Sequence, residues 1–131
     1  MARTIVTGSR YWAEPFLIWL DLNWQYEASH HDLTVVHGAC CDRRGRLRGA
    51  DRWADGWCAL AIKAGLNVKV ERYPAALFGP WPACGPLRNR HMVELGADLV
   101  LAYPLGESRG TRGCMKLATE AGIIVLNRGD P

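Results

Sequence analysis

The chain has no CxxC pair, no GxGxxG or GxxxxGK[ST] loop, and no uninterrupted apolar run near the ~18 residues a membrane span requires. Without CxxC pairs, the usual zinc and dithiol patterns are excluded. The five cysteines, Cys40, Cys41, Cys58, Cys84 and Cys114, are odd in number. Cys40 and Cys41 are adjacent, poor geometry for a structural disulfide, so reduced thiols are expected. His37 and Cys40 resemble half of a metal site, but no second half accompanies them, and neither metal nor cofactor is called for. The start of the chain lacks a basic segment followed by a signal-like apolar run, which predicts a soluble, cytoplasmic protein with no membrane partner. Lysine is scarce: thirteen of the sixteen basic residues are arginine. A net charge of +3 is far from that of a strongly basic domain. Nucleic acid is therefore the weaker partner class, despite the cluster Arg43, Arg44, Arg46 and Arg48.

What is present is a repeat of strand, glycine-containing turn and helix. Residues 4–7 form a β-branched strand ended by Gly8-Ser9-Arg10. The spacing predicts a helix over 14–28, with Phe16, Leu17, Leu20, Trp24 and Ala28 as its stripe. A second strand is expected at 33–37. A helix over 50–64 follows, with Ala50, Trp53, Ala54, Trp57, Ala61 and Ala64 facing inward and Gly65 closing it. The third strand is expected at 67–71. A Pro- and Gly-rich stretch, 73–86, shows no period and reads as a loop over a site. A helix from 87 to 95, a strand at 98–102, a helix over 112–121 and a strand at 123–126 complete the pattern. Short apolar strands alternating with amphipathic helices predict an α/β fold: one Rossmann-like, doubly wound domain spanning 1–131, with a mostly parallel five-stranded sheet in the order 3-2-1-4-5. Ligands in such folds bind beyond the C-terminal strand ends where the order reverses, here between strands one and four.

The chemistry-bearing residues gather at those ends. Gly8 lets the main chain approach a ligand, Ser9 offers a hydroxyl, and Arg10 pairs with an anion. His37 and Gly38 end the second strand. Asp51 reads both as a helix N-cap and as an acceptor for ribose hydroxyls, so His37, Gly38 and Asp51 are expected to frame a ribose or base. Pro86 favours a helix start and places Arg88 and Asn89 in the first turn, where an arginine opposes the helix dipole unless an anion lies beside it. The stretch Gly106 to Thr111, GESRGT, joins an apolar strand to a helix and is the strongest anion-site signal, with Gly106, Arg109, Gly110 and Thr111 as its binding residues. Glu107 is the candidate general base. Trp12 and Trp81 fall in ligand-side loops, placed to stack on a base.

These motifs together resemble the SLOG superfamily, the Rossmann-like group that includes the YspA/YpsA-related and Lonely-guy (lysine-decarboxylase-like) families. The marks are GSR at 8–10, HGA at 37–39 with GAD at 49–51, RNRHM at 88–92 and GESRGT at 106–111, in family order over nearly the whole chain. The resemblance is to the YspA-related branch and implies binding of a nucleotide or nucleotide-derived phosphate ligand, in a sensing or sequestering role. The more distant Lonely-guy family hydrolyses cytokinin nucleoside monophosphates and carries PGGxGTxxE, whose glutamate is catalytic. Here Cys114 stands where that glutamate would be, and the family's catalytic arginine corresponds to Arg88. The resemblance therefore implies nucleotide binding more than phosphoribohydrolase activity, with Glu107 or Glu120 as the only substitutes for the missing acid. Apolar helix surface is compatible with a homodimer.

Overall fold

A computed structural model describes residues 2–131. Its elements are β1 (Ala2–Gly8), α1 (Phe16–Ala28), β2 (Leu33–His37), α2 (Gly49–Lys63), β3 (Val68–Arg72), a 3-10 turn at Ala75–Phe78, α3 (Cys84–Glu94), β4 (Leu99–Tyr103), α4 (Arg109–Glu120) and β5 (Ile124–Asn127). The five strands form one all-parallel sheet in the order β3-β2-β1-β4-β5, as the alternation of apolar strands and helices predicts. β2 and β4 are buried along their whole lengths, the signature of a parallel sheet covered on both faces.

Two cores result. On one face Val6, Leu33, Val35, Leu99, Leu101 and Tyr103 meet Ile18, Leu22 and Tyr26 of α1 and Ala50, Ala54, Trp57 and Ala61 of α2. On the other, Ile5, Val36, Val100 and Ala102 meet Met92 and Val93 of α3 and Cys114 and Ala118 of α4. Indole donors tie the first layer together. Trp12 Nε1 donates to the Glu14 carbonyl, Trp53 Nε1 to the Trp12 carbonyl and Trp19 Nε1 to the Trp53 carbonyl, while Trp57 Nε1 reaches Asn23 Oδ1 at 2.8 Å.

Several local expectations are corrected. The buried stripe of α1 is Ile18, Leu22 and Tyr26; Phe16, Leu20 and Trp24 are 70%, 49% and 65% exposed. Apolar residues surround this helix, so periodicity alone does not choose a face. The tether from Asn23 to Trp57 and that from Tyr103 Oη to Asp21 Oδ2, at 2.8 Å, hold the observed one. On α2, Ala64 is exposed and Cys58 takes an inner position. α3 begins at Cys84, not at 87, because Pro86 lacks only an N–H that the first turn leaves unpaired anyway. Arg88 and Asn89 consequently lie in the second turn. α4 begins at Arg109, so Thr111 stands inside its first turn.

Gly8 marks the tightest junction between β1, β4 and α2. A Cβ there would meet Ala50 Cβ at 2.5 Å and Tyr103 Cβ at 3.0 Å, both inside the packed core. Gly8→Ala is expected to destabilise by about 1–3 kcal/mol through overpacking. Gly113→Ala, whose Cβ meets nothing within 4 Å, is expected to be neutral or stabilising by up to ~1 kcal/mol. Urea denaturation of the two variants against the wild type checks the contrast.

Candidate functional site

The C-terminal ends of β1 and β4 open into a crevice of about 490 Å³, within the range of small-molecule sites. One wall is the turn after β1. Ser9 is held by its N–H donating to the Tyr103 carbonyl at 3.0 Å, while its own carbonyl accepts from Trp12 and Ala50. Its Oγ accepts from the Tyr11 N–H at 3.0 Å. Gly49, at φ +64°, permits this close approach, since a side chain there would strike the Ser9 carbonyl and the Arg10 main chain. Arg10 and Tyr11 then stand at the rim, with the guanidinium carbon 5.9 Å from the Tyr11 ring centroid.

The opposite wall is α3 with the start of α4. Arg88 Nη1 donates to the Gly38 carbonyl at 2.6 Å and to the Tyr73 carbonyl at 3.2 Å, and Nε donates to Asn89 Oδ1 at 2.7 Å. Nη2 has no protein partner among the described residues. Gly38 is bare because the guanidinium occupies the space a Cβ would fill. Asn89, buried, passes the connection on by donating Nδ2 to the Gly110 carbonyl at 3.1 Å. Ser108 precedes α4 at φ +40° without capping its amides, and its Oγ donates instead to Thr111 Oγ1 at 3.0 Å. The amides of Arg109, Gly110 and Thr111 are the unpaired donors of a helix N-terminus, beside the crevice that all three residues line.

Asp51 lies at the inner end. It is nearly buried, and Oδ2 accepts from the Cys40 N–H at 2.9 Å. Burial pushes its carboxyl above the ordinary value, further helped by Asp55, while His37, the Cys40 amide and Arg88 oppose the rise. Arg48 is the residue before α2, so Asp51 sits within the first helical turn and is not the N-cap. Behind it, the fully buried His37 contacts Asp55 Oδ1 through Nε2 at 2.9 Å and accepts the Ala39 N–H on Nδ1 at 3.0 Å. Arg72 Nε also donates to Asp55 Oδ1, at 2.6 Å.

The crevice brings together Gly8, Ser9, Arg10, Gly38, Asp51, Arg88, Asn89, Glu107, Arg109, Gly110 and Thr111 of the expected site. His37 is excluded: both ring nitrogens are engaged within the protein, so it shapes the 38–40 turn from behind. Gly106 is also outside. Its N–H donates to Asp130 Oδ2 at 2.8 Å and its carbonyl accepts from Arg112, a turn role set by its φ of +59°. Glu107 is at the mouth with an 86% exposed side chain, 3.8 Å from Arg109 Nε, and lacks the desolvation a general base needs. Neither tryptophan reaches the crevice: Trp12 packs edge-on against Tyr103, and Trp81 is 82% exposed. The aromatic on the rim is Tyr11, overlooked in the sequence although it directly follows Gly8-Ser9-Arg10. Cys40, Met92, Leu105 and Ser108 also line the crevice. Cys114 is buried beneath it, its thiol pushed up to about 11 by desolvation. Of the arginine cluster, Arg43, Arg44 and Arg46 lie outside the lining, in a turn where Asp42 accepts from the Arg44 and Arg46 amides. Arg48 directly precedes α2, its N–H donating to the Cys40 carbonyl.

Fold and site together define a doubly wound parallel α/β protein with a crevice at the switch between β1 and β4. No protein-family model matches the chain, and no solved structure matches it. It is 42% identical over 130 residues to the Gene 61 protein of Mycobacterium phage D29, an alignment covering 99% of this chain and 98% of that one. The chain belongs to the family of that phage protein.

The brace of His37, Asp55 and Arg72 gives a pH signature. Asp55 titrates at about 2, below its ordinary 3.8, chiefly through the hydrogen bond to His37 and then that to Arg72, against an opposing push from burial. A depressed folded pKa contributes stability that is full above the unfolded value and is lost as pH falls through the folded one. Urea denaturation between pH 7 and pH 2 is expected to show this loss between about pH 4 and 2, on the order of 1–2 kcal/mol after solvent screening. Asp55→Asn is expected to flatten that step and to lower stability at neutral pH.

Proposed function

We propose that this chain binds a nucleotide or nucleotide-derived phosphate ligand in the crevice, as a SLOG-like domain of the YspA-related kind acting in sensing or sequestration. The observation that carries the reading is the convergence of three unpaired donor groups on one space. They are the first amides of α4, the free Nη2 arm of Arg88 and the rim guanidinium of Arg10. Helix N-terminal amides and forked guanidinium donors are matched to phosphate oxygens. Asp51, also in the lining, supplies an acceptor for ligand hydroxyl or amino groups, and Tyr11 offers a ring face at the rim.

Hydrolysis of a nucleoside monophosphate has one specific observation in its favour. Asp51 is a desolvated carboxylate with a raised pKa, in a space shared with Arg88. It replaces Glu107 as the acid of that reading; Glu120, in the last turn of α4, is remote from the crevice.

Calorimetric titration with a nucleoside monophosphate panel and with inorganic phosphate tests binding. Assay of the same mixtures for free base and ribose 5-phosphate tests turnover. Arg10→Ala and Arg88→Ala are each expected to weaken binding about 10- to 100-fold, the size of a lost charge-assisted hydrogen bond. No binding by any panel member would overturn the proposal, and turnover abolished by Asp51→Asn would establish the hydrolytic reading instead. Gly38→Ala, which drives the Arg88 guanidinium from its seat, is expected to weaken the same ligand at least tenfold, roughly one charge-assisted contact. Circular dichroism should show the fold retained.

A further inference from the structure

The two edges of the sheet differ in kind. β3 carries Lys69, Glu71 and Arg72, charges of the sort that keep an edge from pairing with another chain. β5, Ile-Val-Leu-Asn, has no charge, no proline and no bulge. Its open side also presents free main-chain groups. The Arg128 N–H donates to the Ala102 carbonyl at 2.7 Å, so alternation along the strand turns Leu126 and Ile124 toward β4 and the amides of Val125 and Asn127 outward. None of these outward groups bonds to a main-chain partner among the described residues.

The same edge continues an apolar surface. Register pairs Leu99 with Ile124 and Leu101 with Leu126, placing both β5 side chains on the α1 face of the sheet. There they are 64% and 40% exposed, where no helix covers them. α1 is moored beside β5 by Asp21, which receives Arg128 Nε at 3.0 Å. At about 100° per residue Trp24 stands about 60° round the helix from Asp21, on the β5 side, and is 65% exposed, whereas Phe16 and Leu20 point away from the sheet. Ile124, Leu126 and Trp24 together expose on the order of 300–400 Å², with a fully exposed aromatic at ~150–250 Å². That is within the range of the largest apolar patch a monomer usually shows, ~300–600 Å².

We infer that β5, flanked by Trp24 of α1, forms a homodimer interface, in which β5 pairs antiparallel with β5 of a second copy about a two-fold axis at Leu126. The axis sets Val125 of each protomer opposite Asn127 of the other, the outward-facing residues, so each pair exchanges both N–H···O bonds. Leu126 meets its own counterpart across the axis. An isologous contact needs one self-complementary patch, and an uncharged edge with an apolar face is such a patch. Two copies of this patch bury about 700 Å² of apolar side chain, to which the paired main chain adds, the scale of a weak, concentration-dependent interface. A partner of different sequence would need its own matching edge; a second copy already has it.

Sedimentation equilibrium of the full chain is expected to show a monomer–dimer equilibrium in the micromolar range. Leu126→Lys, which sets two ammonium groups against each other across the axis, is expected to weaken dimerisation at least about 100-fold. Ile124→Lys is expected to weaken it less. Thermal melts by circular dichroism should show both variants folded. Hydrogen exchange supplies the second readout: protection of the Val125 and Asn127 amides should rise with protein concentration. A monomer at the highest attainable concentration would overturn the inference. So would a dimer indifferent to both lysine variants, or one in which those two amides exchange at a rate independent of concentration.

Discussion

The Arg88 guanidinium on bare Gly38 is the contact from which the crevice takes its shape. It joins the end of β2, the chain after β3 and helix α3 through three hydrogen bonds. Asn89 carries the connection to the Gly110 carbonyl at the start of α4. Four segments far apart in sequence thus meet around one planar cation. A guanidinium can do this because its donors lie in a rigid fork with fixed directions.

The opposite wall obeys a different constraint. Gly8, Gly49 and Ala50 carry little or no side chain, which lets the turn after β1 lie against the start of α2, with the Ser9 carbonyl accepting amides from both sides. The brace of His37, Asp55 and Arg72 stands behind the 38–40 turn and fixes the direction of the Cys40 amide toward Asp51. The lining combines donors, in Arg88, Arg10 and the helix amides, with one buried acceptor, Asp51, near enough to Arg88 to feel its charge. Such a mixed lining suits a ligand that carries both an anionic group and hydroxyl or amino groups.

The sheet edges add an asymmetry independent of the crevice. β3 is charged, with Glu71 drawn to Arg3 and Arg72 to Asp55, whereas β5 is apolar and open. The crevice and the open edge are therefore built on different elements. Asp21 links β4 to the end of β5, accepting from Tyr103 Oη and from Arg128 Nε.

The order of five parallel strands was legible in the sequence because short apolar runs alternate with helices, and right-handed crossovers leave few arrangements. Gly8-Ser9-Arg10, Arg88-Asn89 and Gly110-Thr111 were legible as neighbours because that order brings the same strand ends together. Other features were decided only by the tertiary structure. The inward face of α1 was one, since a helix apolar all round has no preferred stripe until Asn23 and Asp21 find partners on other elements. The withdrawal of His37 was another, because Asp55, eighteen residues on, accounts for one of its nitrogens. Glu107 and Asp51 look alike as letters. One lies in water and the other is buried in the first turn of α2, and that difference in solvation separates a surface charge from a carboxyl with a raised pKa.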